Sequence, residues 1–502
     1  MAPVLEERVR PSAADDGPGR RGRRPARRRQ VGFLAAVAVG VTIMAACGST
    51  GATSVPSATT TPPPTDAAGS GYAAGLVPDA TADWTTYDRT GARTGLSTST
   101  PAFTAASHVE RSWRAGVDGA VYGQPLVVGN EVVVATENNT VYALDALTGR
   151  TRWRRHLAAP VGGGLPCGNI GPSGITGTPV ADAAAGRLWV VTFSADPYRH
   201  VLWSLDLRTG ALRSNRDVDG PGSDPRAEQV RGALALAGGR VFVAYGGLDG
   251  DCSDYHGWVV GAPVSGAGRL TTYVTPTERE AGIWAPPGPS VGHGSLYVST
   301  GNGTPLDAVD DSNSVVRLSL PGLHVLGTFT PGDYRALSAA DQDLGSTSPV
   351  LLPDDLLLQA GKQGVAYVVA ASHLGGVGGQ LAQRRICPGA FGGAAAAGLT
   401  VVVSCYDGLY AVAVSPPTGR SGAGVRVLWS ATGFGAGPPI IAGGVVWDAT
   451  REDRLLGYSL RDGRRVYATG IDSVVTSFPT LSASRGRLFV PEGHEVVSYR
   501  GV

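Results

Sequence analysis

Lysine is almost absent from this sequence of 502 residues, in which Lys362 stands beside 41 arginines. Charged residues make up only 17% of the chain and aromatic residues only 7%. The five cysteines include no C-x-x-C spacing and no adjacent pair, which argues against a zinc, dithiol redox or cytochrome-type site. The eight histidines are scattered and form no metal-ligand pair. The composition therefore excludes several common site chemistries and indicates a protein poor in exposed charge.

Charge is divided unevenly between a basic leader and the rest of the chain. Residues 1–30 contain nine arginines against four acidic residues, a net charge of +5. The remaining residues hold 33 basic and 37 acidic side chains, a net charge of −4. A protein with this slightly acidic charge lacks the basic surface that nucleic-acid binding requires, so we expect no nucleic-acid partner.

The N-terminus has the features of an export signal. Arginines precede an apolar run, Val31 to Ala46, whose 16 residues fall short of the roughly 20 that span a bilayer as a helix. The ending Met44-Ala45-Ala46-Cys47 resembles a bacterial lipobox, so residues 1–46 are predicted to be a lipoprotein signal peptide and Cys47 the lipidated residue. An uncleaved signal anchor is the alternative. Residues 47–80, rich in Ser, Thr, Pro and Gly, are predicted to be a disordered tether that holds the protein on the extracytoplasmic face of a bacterial cell membrane.

In an oxidising compartment the other four cysteines can form two disulfides. Sequence alone allows three connectivities. We favour Cys167–Cys252 and Cys387–Cys405, because each of these pairs joins loops of neighbouring repeats.

The chain repeats from about residue 81 onward, and its 73 glycines and 35 prolines suit many short strands joined by turns. Eight copies of one pattern begin 40–60 residues apart, enough for a four-stranded blade. The last copy lacks a strand, which the segment around Trp113 can supply from the N-terminal end. The sequence therefore predicts an all-β, eight-bladed propeller over residues 81–502, with starts at Pro125, Pro179, Ala233, Pro289, Pro349, Gly392, Pro439 and Pro479.

One copy, "VYALDALTGRTRW", is especially regular. Asp145 can accept N–H groups across a turn, Gly149 can supply a positive φ, and Trp153 can pack between blades. This motif resembles the tryptophan-docking repeat of propellers related to pyrroloquinoline quinone (PQQ) dehydrogenases. The resemblance covers roughly residues 81–502, and with its leader the chain resembles exported PQQ-repeat lipoproteins of actinobacteria. The resemblance implies the quinoprotein dehydrogenase-like fold, which also builds non-enzymatic scaffolds.

The resemblance also implies a cofactor site. Trp284 would lie beneath the quinone, Asn302 would bind Ca²⁺, and Lys362 would contact the quinone. Each residue also has a simpler interpretation: Trp284 as a core or channel residue, Asn302 as part of a hairpin turn, and Lys362 as a solvated turn charge.

A missing base weighs against catalysis. In the dehydrogenases the repeat after the calcium-binding Asn carries the general base, and the corresponding residue here is Leu318, which cannot accept a proton. Asp341 or Asp343 could substitute, although no spacing supports this. We therefore expect a non-catalytic, monomeric binding or scaffolding protein for an unidentified protein or small molecule, without a cofactor. The alternatives are a PQQ- and Ca²⁺-dependent alcohol or sugar oxidoreductase, or a channel-site binder without turnover.

Overall fold

Eight four-stranded antiparallel sheets form the blades of a β-propeller, as the repeats predict. This computed structural model describes residues 82–101, 108–419, 421–473 and 478–501. All of them lie in one compact unit, Tyr72–Val502. The predicted signal peptide, Cys47 and the tether lie outside the described residues.

Each blade follows the chain from its first strand to its fourth, with one exception at the ring closure. The strands of blades 1 to 4 are Leu126–Val128, Glu131–Ala135, Thr140–Asp145 and Thr151–His156; Val180–Asp182, Arg187–Ser194, Arg199–Asp206 and Leu212–Asp217; Ala235–Ala237, Arg240–Gly247, Trp258–Pro263 and Thr271–Val274; Ser290–Gly292, Ser295–Ser299, Val315–Ser319 and Val325–Thr330. Those of blades 5 to 8 are Val350–Leu352, Leu356–Ala360, Val365–Ala370 and Ala382–Arg385; Ala390–Ala397, Thr400–Cys405, Gly408–Ser415 and Gly424–Thr432; Ile440–Ala442, Val445–Thr450, Arg454–Ser459 and Arg465–Gly470; Ser482–Ser484, Arg487–Glu492, Glu495–Gly501 and Val109–Gly116.

A few short elements lie outside this pattern. They are the strands Leu96–Ser97, Glu228–Gln229, Arg279–Glu280, Gly303–Thr304 and Gly376–Val377, the helix Tyr334–Ala339 and the 3₁₀ turn Leu344–Ser346. Within the described residues, no helix has the length and apolar character needed to cross a membrane.

The predicted repeat boundaries match the blades. Five of the eight predicted starts lie immediately before a first strand, whereas Gly392 falls inside the strand Ala390–Ala397. The segment around Trp113 supplies the outer strand of blade 8, pairing antiparallel with Glu495–Gly501. The ring is therefore closed by joining the two ends of the domain, which removes an open sheet edge.

Two sides of the propeller can be defined from this order of strands. We call apical the side that holds the turns between second and third strands and the connections between blades. The basal side holds the turns between first and second strands and those between third and fourth strands. Since strands in a blade alternate in direction, every blade presents the same turns on the same side.

The "DALTG" turn of blade 1 lies on the basal side and connects neighbouring blades. Oδ1 of Asp145 accepts hydrogen bonds from the backbone N–H groups of Leu147 and Thr148, and Gly149 has a φ of 72°. Trp153 packs on the equivalent turn of blade 2, where its indole N–H donates to the carbonyl of Leu207 at 3.1 Å. The contact between this indole and the turn therefore holds blades 1 and 2 together.

A segment that the repeat pattern does not predict runs along the inner strands. Residues 82–97 make hydrogen bonds to the first strand of every blade or to the residue that precedes it, including those between Trp84 and Val127 and between Gly95 and Ile441. At its centre Arg93 is fully buried and donates to the carbonyl oxygens of Pro289 and Leu234. This segment ties all eight blades together from inside the ring.

Candidate functional site

Trp284, Asn302 and Lys362 come together on the apical side, although they belong to three different segments. Trp284 lies in the connection between blades 3 and 4, Asn302 lies in the loop after the second strand of blade 4, and Lys362 lies in a turn of blade 5. The ammonium of Lys362 is 6.0 Å from the centre of the Trp284 ring. The structure thus places the three residues that the resemblance singled out in one site.

A buried carboxylate joins these residues. Oδ2 of Asp343 is 2.7 Å from Nζ of Lys362, and its Oδ1 accepts the backbone N–H of Asn302 at 2.7 Å. The exposed Asp341 adds a second carboxylate, which accepts from Nζ of Lys362 at 2.9 Å and from the side-chain amide of Asn302 at 2.8 Å. Lys362 therefore lies between two carboxylates.

Burial and pairing have opposite effects on the ionisation of this pair. Burial raises the pKa of Asp343 above its usual value, although Lys362 and the Asn302 N–H act to lower it. Burial also acts to lower the pKa of Lys362, but Asp343 and Asp341 outweigh it, so the pKa of Lys362 is raised. The ammonium is consequently held in its charged form, and Asp343 depends on that charge.

A cavity of about 220 Å³ opens beside the pair. Its polar side chains include two cations and three carboxylates, and its remaining walls are largely aromatic. The aromatic residues are Tyr255, Trp284, Phe391 and Phe478. The charged residues are Arg231, Asp249, Asp251, Asp343 and Lys362. The cavity thus combines ring faces with closely spaced opposite charges, as binding sites for organic molecules commonly do.

Both predicted disulfides are present, and each fixes one wall of this cavity. Cys167–Cys252 links a connection between blades to the loop that carries Asp249, whose carbonyl also accepts the N–H of Gly168 at 3.0 Å. Cys387–Cys405 lies next to Tyr406, whose ring centre is 4.9 Å from that of Phe391. The site is therefore held by covalent links on two sides.

The interpretation of Leu318 as the missing base of this site is wrong. Leu318 is completely buried in the third strand of blade 4, where it pairs with Leu296. A carboxylate does reach the site, but it comes from Asp343 in the connection to blade 5. The absence of a carboxylate at Leu318 therefore says nothing about the chemistry of the apical cavity.

Arg231, Phe391 and Phe478 also line the cavity, and no sequence pattern pointed to them. Arg231 lies 5.1 Å from the ring centre of Phe478, and burial lowers the pKa of its guanidinium. The rings of Phe391 and Phe478 stack at 5.6 Å. Arg231 lies between blades 2 and 3, Phe391 in the first strand of blade 6, and Phe478 between blades 7 and 8, so only the closed ring brings them together.

The donor set does not suit Ca²⁺. The side-chain oxygen of Asn302, which would bind the metal, accepts a hydrogen bond from Asn313 at 2.8 Å. The carboxylates of Asp341 and Asp343 are bound to Lys362, so an ammonium occupies the place that a cation would take. Within the described ranges, no three His, Cys, Asp or Glu residues are grouped so that they could hold a metal ion.

The charges of the cavity do not suit PQQ, which carries three carboxyl groups. Three carboxylates already line the cavity against two cations, and Lys362 is neutralised by its own acidic neighbours. A tricarboxylate would therefore meet a lining with a net negative charge. The aromatic floor at Trp284 is a feature of the site that a planar quinone would match.

The fold defines the chain as an eight-bladed β-propeller. Residues 102–317 match the family described as outer membrane protein assembly factor BamB. Comparison with curated proteins finds no match.

Solved structures with this fold include enzymes and BamB itself. A quinohemoprotein alcohol dehydrogenase of Pseudomonas putida HK5 is 15% identical, with a TM-score of 0.64 over 84% of this chain and 80% of its own. A europium-containing methanol dehydrogenase is 13% identical, with a TM-score of 0.65 over 84% and 98%. BamB from Moraxella catarrhalis is 15% identical, with a TM-score of 0.56 over 78% and 100%. At these identities the likeness establishes the fold and leaves the function to be argued from the site.

Proposed function

We propose that this propeller is a non-catalytic binding protein whose ligand or partner contacts the apical cavity over Trp284. The observation that carries this proposal is the pairing of Lys362 with Asp341 and Asp343. The carboxylates of Asp341 and Asp343, which would otherwise take a proton or hold a metal, are bonded to the ammonium of Lys362. A general base needs a lone pair directed at its substrate, and a metal site needs uncommitted oxygen ligands.

The proposal includes a location. We propose export and attachment to the extracytoplasmic face of the membrane through lipid on Cys47. The two disulfides support export, because such bonds persist mainly in oxidising compartments. Replacing Cys47 with Ser should move the protein from the membrane fraction to the soluble fraction. Retention of Cys47→Ser in the membrane would instead support a signal anchor.

Reconstitution separates binding from redox catalysis. The purified protein is mixed with PQQ and Ca²⁺, its absorption spectrum is recorded, and dye-linked oxidation of alcohols and sugars is assayed. We expect no turnover. Turnover that disappears in both Trp284→Ala and Lys362→Ala would refute the proposal and support a quinoprotein oxidoreductase.

A further inference from the structure

The charged residues are divided unevenly between the two sides of the propeller. Among the described residues, the apical turns and connections contain 21 Asp and Glu against six Lys and Arg. The basal turns contain three Asp against six Arg. Between the strands, acidic residues therefore outnumber basic ones by 15 on the apical side, while basic residues outnumber acidic ones by three on the basal side.

More than half of the apical acidic residues are exposed to solvent. Twelve of the 21 are exposed, whereas only three of the apical cations are. Four stretches contribute three acidic residues each, namely 218–234, 248–257, 300–314 and 331–349. Concentrating like charge costs stability through self-repulsion and raises the local concentration of oppositely charged partners.

The cavity adds a second, independent feature that favours cations. Lys362 lies over the rings of Trp284 and Phe391, with Nζ 6.0 and 5.8 Å from their centres. Arg231 lies over Phe478 at 5.1 Å and over Tyr122 at 5.2 Å. Ring faces oriented in this way stabilise positive charge. The cavity thus already stabilises the ammonium and guanidinium groups of the chain itself.

Two further carboxylates line the cavity near these rings. Asp249 and Asp251 are both exposed and lie in the loop fixed by the Cys167–Cys252 disulfide. A cationic side chain entering the cavity would meet these two carboxylates and an aromatic wall. The same groups would repel an anionic ligand.

From the charge distribution and the cavity together, we propose that the apical side binds a Lys- or Arg-rich polypeptide segment, with one of its cationic side chains entering the cavity. This inference rests on the proposed binding function and names the partner class for the same site. The exposed carboxylates are spread over the loops of several blades, so an extended chain can contact many of them at once. A small cation would neutralise only a few.

The test uses residues 48–502, the proposed mature chain without Cys47, because the compact unit begins at Tyr72. Fluorescein-labelled decalysine is titrated and followed by anisotropy, and calorimetry gives the stoichiometry. We expect saturable 1:1 binding that weakens by about tenfold or more between roughly 0.01 and 0.15 M salt, because surface charges are screened over that range. Decaglutamate should not bind.

Two matched variants locate the binding surface. Asp249→Asn/Asp254→Asn removes two apical charges, and Asp354→Asn/Asp355→Asn removes two basal ones. We expect the apical variant to bind decalysine about fivefold more weakly, since exposed ion pairs contribute roughly 0.2–1 kcal/mol each. The basal variant should bind like the unmodified chain.

Several results would overturn the inference. They are the absence of saturable decalysine binding, equal decalysine affinities for the two variants, and binding of decaglutamate. Binding of spermine as tight as that of decalysine would also overturn it, because the apical side would then be a site for small polyamines. The decalysine assay is independent of the PQQ assay. Turnover with PQQ can therefore refute the proposed function while decalysine still binds, and decalysine can fail to bind while the cavity still takes another ligand.

Discussion

Removing the Lys362 ammonium should destabilise the propeller by leaving a buried carboxylate without its counter-charge. The side chain of Asp343 is only 10% exposed and that of Lys362 only 16%, so solvent screens this pair weakly. Breaking such a pair from one side typically costs about 3–5 kcal/mol. Asp341 is 74% exposed and should add little. We therefore expect Lys362→Met to lower the free energy of unfolding by about 3 kcal/mol near pH 8.

This loss should depend on pH in a defined direction. Burial already raises the pKa of Asp343 in the folded state, and without Lys362 the pKa rises further. The folded state then binds a proton that the unfolded state releases, so stability falls as pH rises above the ordinary pKa of an aspartate. The difference in unfolding free energy between Lys362→Met and the unmodified protein should consequently be smaller at about pH 5 than at about pH 8.

Urea unfolding of residues 48–502 at the two pH values measures the effect. The control is the double variant Lys362→Met/Asp343→Asn, which removes both charges and should regain most of the lost stability. A loss below about 1 kcal/mol, or one that is equal at both pH values and is not relieved by Asp343→Asn, would refute the electrostatic argument.

Three further predictions concern the blades and their buried groups. Gly210→Ala should cost about 3 kcal/mol in urea unfolding, because its Cβ would lie 2.5 Å from the Trp153 ring at a φ of 65°. Gly186→Ala, with a φ of 62° and open space, should cost only about 1 kcal/mol, so equal losses would contradict the packing argument. Replacing Cys387 and Cys405 together with Ser should cost about 3 kcal/mol for their separation of 18 residues, and an unchanged unfolding midpoint would contradict this. Burial raises the pKa of Glu228 to about 8, so the contribution of this residue to stability falls as pH rises from about 4.5 towards 8. Glu228→Gln should remove that part of the pH dependence. Unfolding curves of the variant and the unmodified protein that coincide at every pH in this range would exclude the effect.

The fold was predictable because its information is local and repeated. Turn glycines and buried apolar strands recur in every copy, and six of the eight copies start with a proline, so eight blades and the closing strand around Trp113 could be placed from the sequence. Residues 82–97 could not be placed in the same way. Their hydrogen bonds reach all eight blades, and these contacts exist only once the ring has closed.

The site was only partly predictable. Trp284, Asn302 and Lys362 could be selected by resemblance, because each lies beside a recognisable strand or turn. Arg231, Phe391 and Phe478 lie in connections or strand ends that carry no repeated pattern. Their rings and charges meet only through the curvature of the propeller, for which no short stretch of sequence contains a signal.

Leu318 shows why a repeat motif is a poor guide to an apical site. The motif's aspartate, exemplified by Asp145, ends the third strand of its blade and bonds to a basal turn. Leu318 lies one residue before the end of the equivalent strand in blade 4, at the opposite end from the apical turns. A carboxylate there would be separated from Trp284 and Lys362 by the length of the strand. The groups that decide the chemistry of this propeller therefore have to come from the irregular apical connections, as Asp343 does, and it is there that the excess of acidic residues lies.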